Sequence, residues 1–240
     1  MFRHRAWMST ASYWLGLLGL VSLPLRTEDL LFWAPFIIVT YFVASITISV
    51  GYHRLFCHGA FQTSKFWHYL FGITGVLFMY SSPLQWAVTH STHHKKSDTD
   101  LDPHPLPKDA LLFKGYRDVP LDTWQVRRLI KRSGEFHAFL DKYYVAIFFA
   151  LLLIMCAVSI DYVIYAYIPV LGLAHFVGGM HNLISHSNKS PRNLAFMEFV
   201  LPASGEWLHG YHHKHWKAWN FASKPYEFDL GSWVIRMIKK

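Results

Sequence analysis

The chain has 240 residues, 52% hydrophobic and 18% aromatic, with a formal net charge of +8. This apolar share argues against an ordinary soluble domain, and two cysteines exclude a disulfide framework. The positive charge fits loops held beside anionic lipid headgroups and requires no nucleic-acid partner.

In chain order, four uncharged runs approach the ~20 residues that a helix needs to cross a bilayer. The first covers 6–25 and is diluted by Ser9, Thr10, Ser12 and Pro24; the second, 30–52, contains no charge. Segments 143–160 and 162–180 are separated by Asp161 alone and read as a tight helical hairpin. No small-residue cleavage site follows the first run, so it is not read as a removable signal peptide. Segment 66–89 is also long enough to span. It is read instead as a helix on or dipping into the cytoplasmic leaflet, broken near Ser81-Ser82-Pro83, because one crossing would separate the histidine boxes on either side of it. The same reading applies to 194–202.

Of the 23 Lys and Arg, 22 lie before residue 6, within 51–142 or after residue 180. Basic residues favour the cytoplasmic side, so both termini and the central segment are expected there. The expected architecture is an all-α integral membrane protein with one domain over 1–240. Four transmembrane helices (6–25, 30–52, 143–160, 162–180) would carry a cytoplasmic helical cap, 53–142 and 181–240. The membrane would be a bacterial inner membrane or endoplasmic reticulum.

Eight of the sixteen histidines fall into His53-Arg-Leu-Phe-Cys-His58, His90-Ser-Thr-His93-His94 and His209-Gly-Tyr-His212-His213. On an α-helix, positions i, i+3 and i+4 share a face, so each His-x-x-His-His box is expected to aim three imidazoles at one place. His53 and His58, five apart, share no α-helical face. Imidazole is the commonest metal-binding side chain, and eight exceed one metal's capacity, so two metals are the economical reading. His186 follows the fourth span as a ninth ligand, and Asn182 is placed to hold a metal-bound water. His4, His68, His137, His175, His181 and His215 are read as packing or surface residues. One box alone would suit structural zinc. Three in order beside apolar spans, without carboxylates, suit paired irons that use dioxygen to attack an unactivated C–H bond of a lipid chain.

These residues resemble the membrane fatty acyl desaturase family, typified by the stearoyl-CoA desaturases. The resemblance runs from about Ile46 to Trp216. It rests on Gly51-Tyr52-His53-Arg54-Leu55, Trp86 before His90, and His93-His94-Lys95-Lys96-Ser97-Asp98-Thr99-Asp100. Asp102-Pro103-His104, Asn182-x3-His186 and Gly205-Glu206-x2-His209-x-Tyr211-His212-His213 complete it. It implies a di-iron enzyme that uses O2 and an external electron donor to insert a cis double bond, delta-9 type, into a saturated fatty acyl chain. One iron would take His53, His58, His90, His94 and His212. The other would take His93, His186, His209 and His213, with Asn182 through water. The family also implies an acyl tunnel, lined by Tyr41 and Ile37 near its floor and by Trp86. The basic-acidic pair that precedes the second box in animal acyl-CoA enzymes is replaced by Val88 and Thr89, so CoA, lipid and carrier protein all stand as acyl carriers. No cytochrome b5 domain is expected after Trp216, so a separate ferredoxin or cytochrome b5-like donor is implied. Lys95, Lys96, Arg127, Arg128, Lys131 and Arg132 offer a basic surface to an acidic electron donor or an anionic substrate head. A related hydroxylase or acetylenic-bond former, and a zinc-binding membrane protein without redox chemistry, are the competing readings.

Overall fold

A computed structural model describes residues 3–22, 27–104, 119–120, 123–187 and 190–240. The end of the first expected span with Arg26, part of the central segment (105–118 and 121–122) and the Arg132 side chain lie outside the described residues. Among the described residues the chain is helical, and extended pairing is confined to two isolated bridges, Thr63 with Lys239 and Asn193 with Leu208.

Helix α1 (Arg3–Ser22) precedes α2 (Thr27–Ile46), which runs without a break into a π-helical stretch, Thr47–His58. Then come α3 (Lys65–Leu77), α4 (Pro83–Lys96), α5 (Thr123–Ser133), α6 (Phe136–Lys142) and α7 (Tyr144–Val158). Helix α8 (Ile160–Ser185) is followed by α9 (Met197–Val200), α10 (His209–Lys214) and α11 (Leu230–Ile238).

Among the described residues, two helices are long and apolar enough to cross a bilayer: Leu30–His58, formed by α2 with its π-helical end, and α8. A third would require α6 and α7 to act as one span, although they meet at 87°. The other two expected spans do not meet the test, for different reasons. Helix α1 has 20 residues but is diluted by polar ones. Helix α7 has 15 residues, about 22 Å of rise against a hydrocarbon core of ~30 Å. α1 nevertheless lies tightly along α8. Gly16 and Gly172 face each other so closely that a Cβ on Gly16 would sit 2.0 Å from the Gly172 nitrogen, the small-residue contact that lets membrane helices approach.

The turn between α7 and α8 falls at Ser159, not at Asp161. Ser159 is extended and its hydroxyl accepts from the Tyr162 amide at 3.1 Å, capping α8. Asp161 lies in the first helical turn, where a negative charge suits the helix dipole. Within α8, a π-widened turn, Val163–Tyr167, ends two residues before Pro169. Proline lacks an N–H and crowds the carbonyl four residues back, and a widened turn absorbs both effects.

Segment 66–89 is broken as expected. Met79 (φ 57) and Ser81 (φ 74) adopt left-handed backbone, Ser82 caps α4 by accepting from the Gln85 amide at 3.2 Å, and Pro83 opens the helix. One core gathers residues of the long helices, including Tyr41, Phe148, Tyr167 and Val170. A second gathers Tyr52, Phe56, Phe71, Leu84 and Ile235 around the π-helical stretch, α3, α4 and α11. The histidine boxes lie against this second core.

Candidate metal centre

The structure brings nine histidines into two neighbouring groups. His53, His58, His90, His94 and His212 form the first, and His93, His186, His209 and His213 the second. Within each group every residue offers a nitrogen within 4.8 Å of the others. The groups adjoin, because the His94 and His213 rings stack at 4.3 Å.

Two details depart from the α-helical expectation. His53 and His58 do share a face, with ring centroids 4.9 Å apart. The cause is the π-helical winding, whose i to i+5 repeat aligns residues five apart. Nor does either His-x-x-His-His box aim at a single point. On α4, His90 and His94 (i, i+4) turn to the first group and His93 to the second; on α10, His209 and His213 turn to the second and His212 to the first. Each short helix thus supplies both groups.

The inward nitrogens are unusually close. Nε2 atoms of His53 and His212, of His90 and His94, and of His94 and His212 are 2.9 Å apart; His186 to His209 is 2.8 Å and His209 to His213 is 2.9 Å. Ligands at right angles around a metal, with bonds of ~2.1 Å, sit ~3.0 Å from each other. His93 Nε2 is buried with no hydrogen-bond partner among the described residues. Converging lone pairs and a buried unsatisfied nitrogen are costly without a cation between them, so the residues fit a pair of metal ions.

Carboxylates set the outward nitrogens. His53 Nδ1 donates to Glu206 Oε2 at 2.6 Å, His93 Nδ1 to Asp102 at 2.9 Å, and His186 Nδ1 to Asp98 at 3.2 Å. A proton fixed on Nδ1 leaves the Nε2 lone pair facing inward and raises ligand basicity. Burial, reinforced by neighbouring imidazoles, pushes His90, His93, His209, His212 and His213 below the usual histidine range, and His94 down to about 3. These rings are therefore neutral at pH 7, the form that binds metal. The roles of Asp98, Asp102 and Glu206 were not legible from spacing. Their only signal is that each lies three to nine residues from a box histidine in the motifs quoted above.

Asn182 lies one turn before His186 on α8 and its side chain hydrogen-bonds His181. His181, read as a packing residue, in fact contacts the second group: its ring lies 4.4 Å from that of His209 and its Nε2 donates to the Glu206 carbonyl at 2.9 Å. His104 stacks on His93 at 4.1 Å. Trp86 stacks on His90 at 4.6 Å, against the first group. Tyr41 and Ile37 lie away from it, in the core of the long helices, where Tyr41 donates its hydroxyl to the Pro202 carbonyl at 2.5 Å.

A buried latch holds the centre to the C-terminal segment. The Arg54 guanidinium, fully buried, pairs with Asp229 at 3.1 Å, stacks over Phe221 at 3.8 Å and donates to the Ser204 carbonyl at 3.1 Å. Phe221 in turn contacts the His212 ring at 4.6 Å. Gly231 is required here, since a Cβ on it would lie 1.9 Å from Arg54 Nη1.

The fold and site define a helical protein with apolar helices that suggest membrane association and two adjoining histidine clusters that could hold metal. No protein-family model matches the chain. It is 31% identical over 128 residues to an sn-1 stearoyl-lipid 9-desaturase of Anabaena variabilis, covering 50% of this chain and 45% of that protein. It is 27% identical over 213 residues to an sn-2 palmitoyl-lipid 9-desaturase of Nostoc sp., covering 81% and 74%. A Delta-9 acyl-lipid desaturase of Arabidopsis thaliana is 36% identical over 76 residues, 32% of this chain and 25% of that protein. The first and third alignments thus span less than half the length of those relatives. The chain is similar over part or most of its length to several fatty acyl desaturases.

Proposed function

We propose that the protein is an O2-dependent desaturase that introduces a cis double bond, delta-9 type, into a saturated fatty acyl chain. The observation that carries this reading is the five-and-four grouping of largely buried imidazoles, several with Nε2 atoms 2.8–2.9 Å apart. Two bound irons would supply the one-electron and oxygen chemistry that side chains lack. His53, His58, His90, His94 and His212 would hold one iron; His93, His186, His209 and His213 would hold the other, with Asn182 acting through a water.

The chain's own residues do the rest. Glu206, Asp102 and Asp98 keep Nδ1 protons on His53, His93 and His186 and so orient the rings. Trp86 covers one wall of the first group and keeps water from it. Tyr41 and Ile37 form the floor of an acyl tunnel that reaches into the core of the long helices. The relatives' names favour a lipid-bound acyl chain, in keeping with Val88 and Thr89 at positions where a basic contact to a CoA phosphate is absent. A ferredoxin or cytochrome b5-like protein supplies electrons, and Lys95 and Lys96, exposed at the end of α4, offer it a positive edge. The chain is one domain over 1–240 with four spans, and both termini and the histidine layer face the cytoplasm.

The test is gas chromatography–mass spectrometry of total fatty acids from a host without its own desaturase, co-expressing the chain and a donor of each type. A new monounsaturated acid is expected, and Tyr41→Ala should shift it towards longer chains. A hydroxylated acid in its place would assign the protein to the hydroxylases, and an unchanged chain-length profile would remove Tyr41 from the floor.

A further inference from the structure

We propose that the outer face formed by α9, the 220–229 segment and α11 is a seat for an anionic membrane lipid, whose headgroup phosphate enters a cavity beside Lys224 and Arg236. This surface lies outside the histidine centre and does not depend on the chemistry assigned to it.

Three segments distant in sequence bring large apolar side chains to one outer surface. Phe199 stacks near Phe228 at 6.2 Å, and Phe228 meets Trp233 edge-on at 5.5 Å. Phe199, Tyr226 and Trp233 are each more than half exposed, and Met237, one turn beyond Trp233, is 77% exposed. α11 buries its other face through Ser232 and Ile235. Placing large aromatics in water is unfavourable, and an exposed cluster of them marks an interaction surface.

The level of this surface in the fold indicates what covers it. Met197 and Leu201, flanking Phe199, pack inward on the core of the long helices, and Pro202 accepts the hydrogen bond from Tyr41 of α2. Phe199 therefore projects outward beside the long apolar helices, where membrane lipid is the neighbour available to it.

Charge selects the lipid. A cavity of about 460 Å³ is lined by Lys224, Arg236, Tyr226 and Trp233, together with Glu227 and Asp229. Both carboxylates are already engaged. Glu227 accepts from the Ser223 amide at 2.6 Å and from Asn193 Nδ2 at 3.1 Å, and Asp229 is paired with Arg54. Lys224 and Arg236, both exposed, rest over the rings of Tyr226 and Trp219 at 5.5 and 5.8 Å. Lys239 and Lys240 add positive charge at the end of α11. Such an arrangement favours an anionic over a zwitterionic headgroup.

Native mass spectrometry of the full chain, titrated with phosphatidylglycerol or phosphatidylcholine of matched acyl chains, tests this. The wild type should retain phosphatidylglycerol about tenfold more strongly. Lys224→Gln with Arg236→Gln should abolish that preference, whereas Arg236→Lys, which keeps the charge, should preserve it. Trp233→Ala with Met237→Ala should lower retention of both lipids alike. Equal retention by the wild type, or an undiminished preference in the double Gln variant, would overturn the proposal. All four positions are exposed, so unchanged melting temperatures are expected and separate lost binding from lost folding.

Discussion

Replacing Asp229 with alanine should destabilise the protein severely while touching none of the histidines. Asp229 and Arg54 have fully buried side chains, 0% exposed on both sides. The carboxylate also accepts the Phe221 amide at 2.8 Å and the Ser232 amide at 3.0 Å, capping α11. Its removal leaves a guanidinium charged and unpaired in the interior, a change that costs about 3–5 kcal/mol. For a chain of this size that corresponds to a fall in melting temperature of about 6–20 °C. Differential scanning fluorimetry in detergent, with the metal content held equal, reads it directly. Because the cost is mainly the stranded charge, Arg54→Met with Asp229→Leu should recover a large part of the loss. Recovery should stop short of wild type, since the Phe221 and Ser232 amides still lose their acceptor. A single variant melting within about 2 °C of wild type, or a double variant no better than the single one, would refute the reasoning.

Two further outcomes follow from the same geometry. Glu206→Gln, which keeps an acceptor for His53 but removes the charge, should weaken metal retention about 10- to 100-fold in competition with a chelator; unchanged retention would show that Glu206 does not tune the site. Burial raises the Glu198 carboxyl to about 7, against backbone amides of Trp207 and Ala203 that favour its ionised form. A carboxyl whose folded pKa is raised stabilises the fold below its unfolded pKa, ~4.5, and this contribution is lost as pH rises through about 7. Relative to Glu198→Gln, the wild type should therefore lose stability, by up to ~3 kcal/mol, between those values. Parallel melting profiles for the two proteins across that range would contradict it.

What the sequence could reveal was set by spacing rules. Long uncharged runs marked the two helices that can span, and Ser81-Ser82-Pro83 marked a break that the backbone of Met79 and Ser81 realises. The rules misjudged places where helical winding changes. Thr47–His58 is π-helical, so a five-residue spacing that looked unhelpful brings His53 beside His58. The turn before α8 was assigned to the charged Asp161, whereas a hydroxyl cap at Ser159 makes it. Side chains that support the centre were hidden for another reason. Contacts such as Glu206 with His53, or Arg54 with Asp229, join residues more than 150 positions apart, and no local pattern encodes such a distance.

The proposed function requires the nine clustered histidines to hold two irons. Elemental analysis by inductively coupled plasma mass spectrometry, on protein purified from iron-replete cells, tests it most directly. Two irons per chain are expected for the wild type. His94→Ala and His213→Ala, one in each group, should each lose iron while remaining inserted in the membrane. Zinc in place of iron, or full iron content in both variants, would contradict the account.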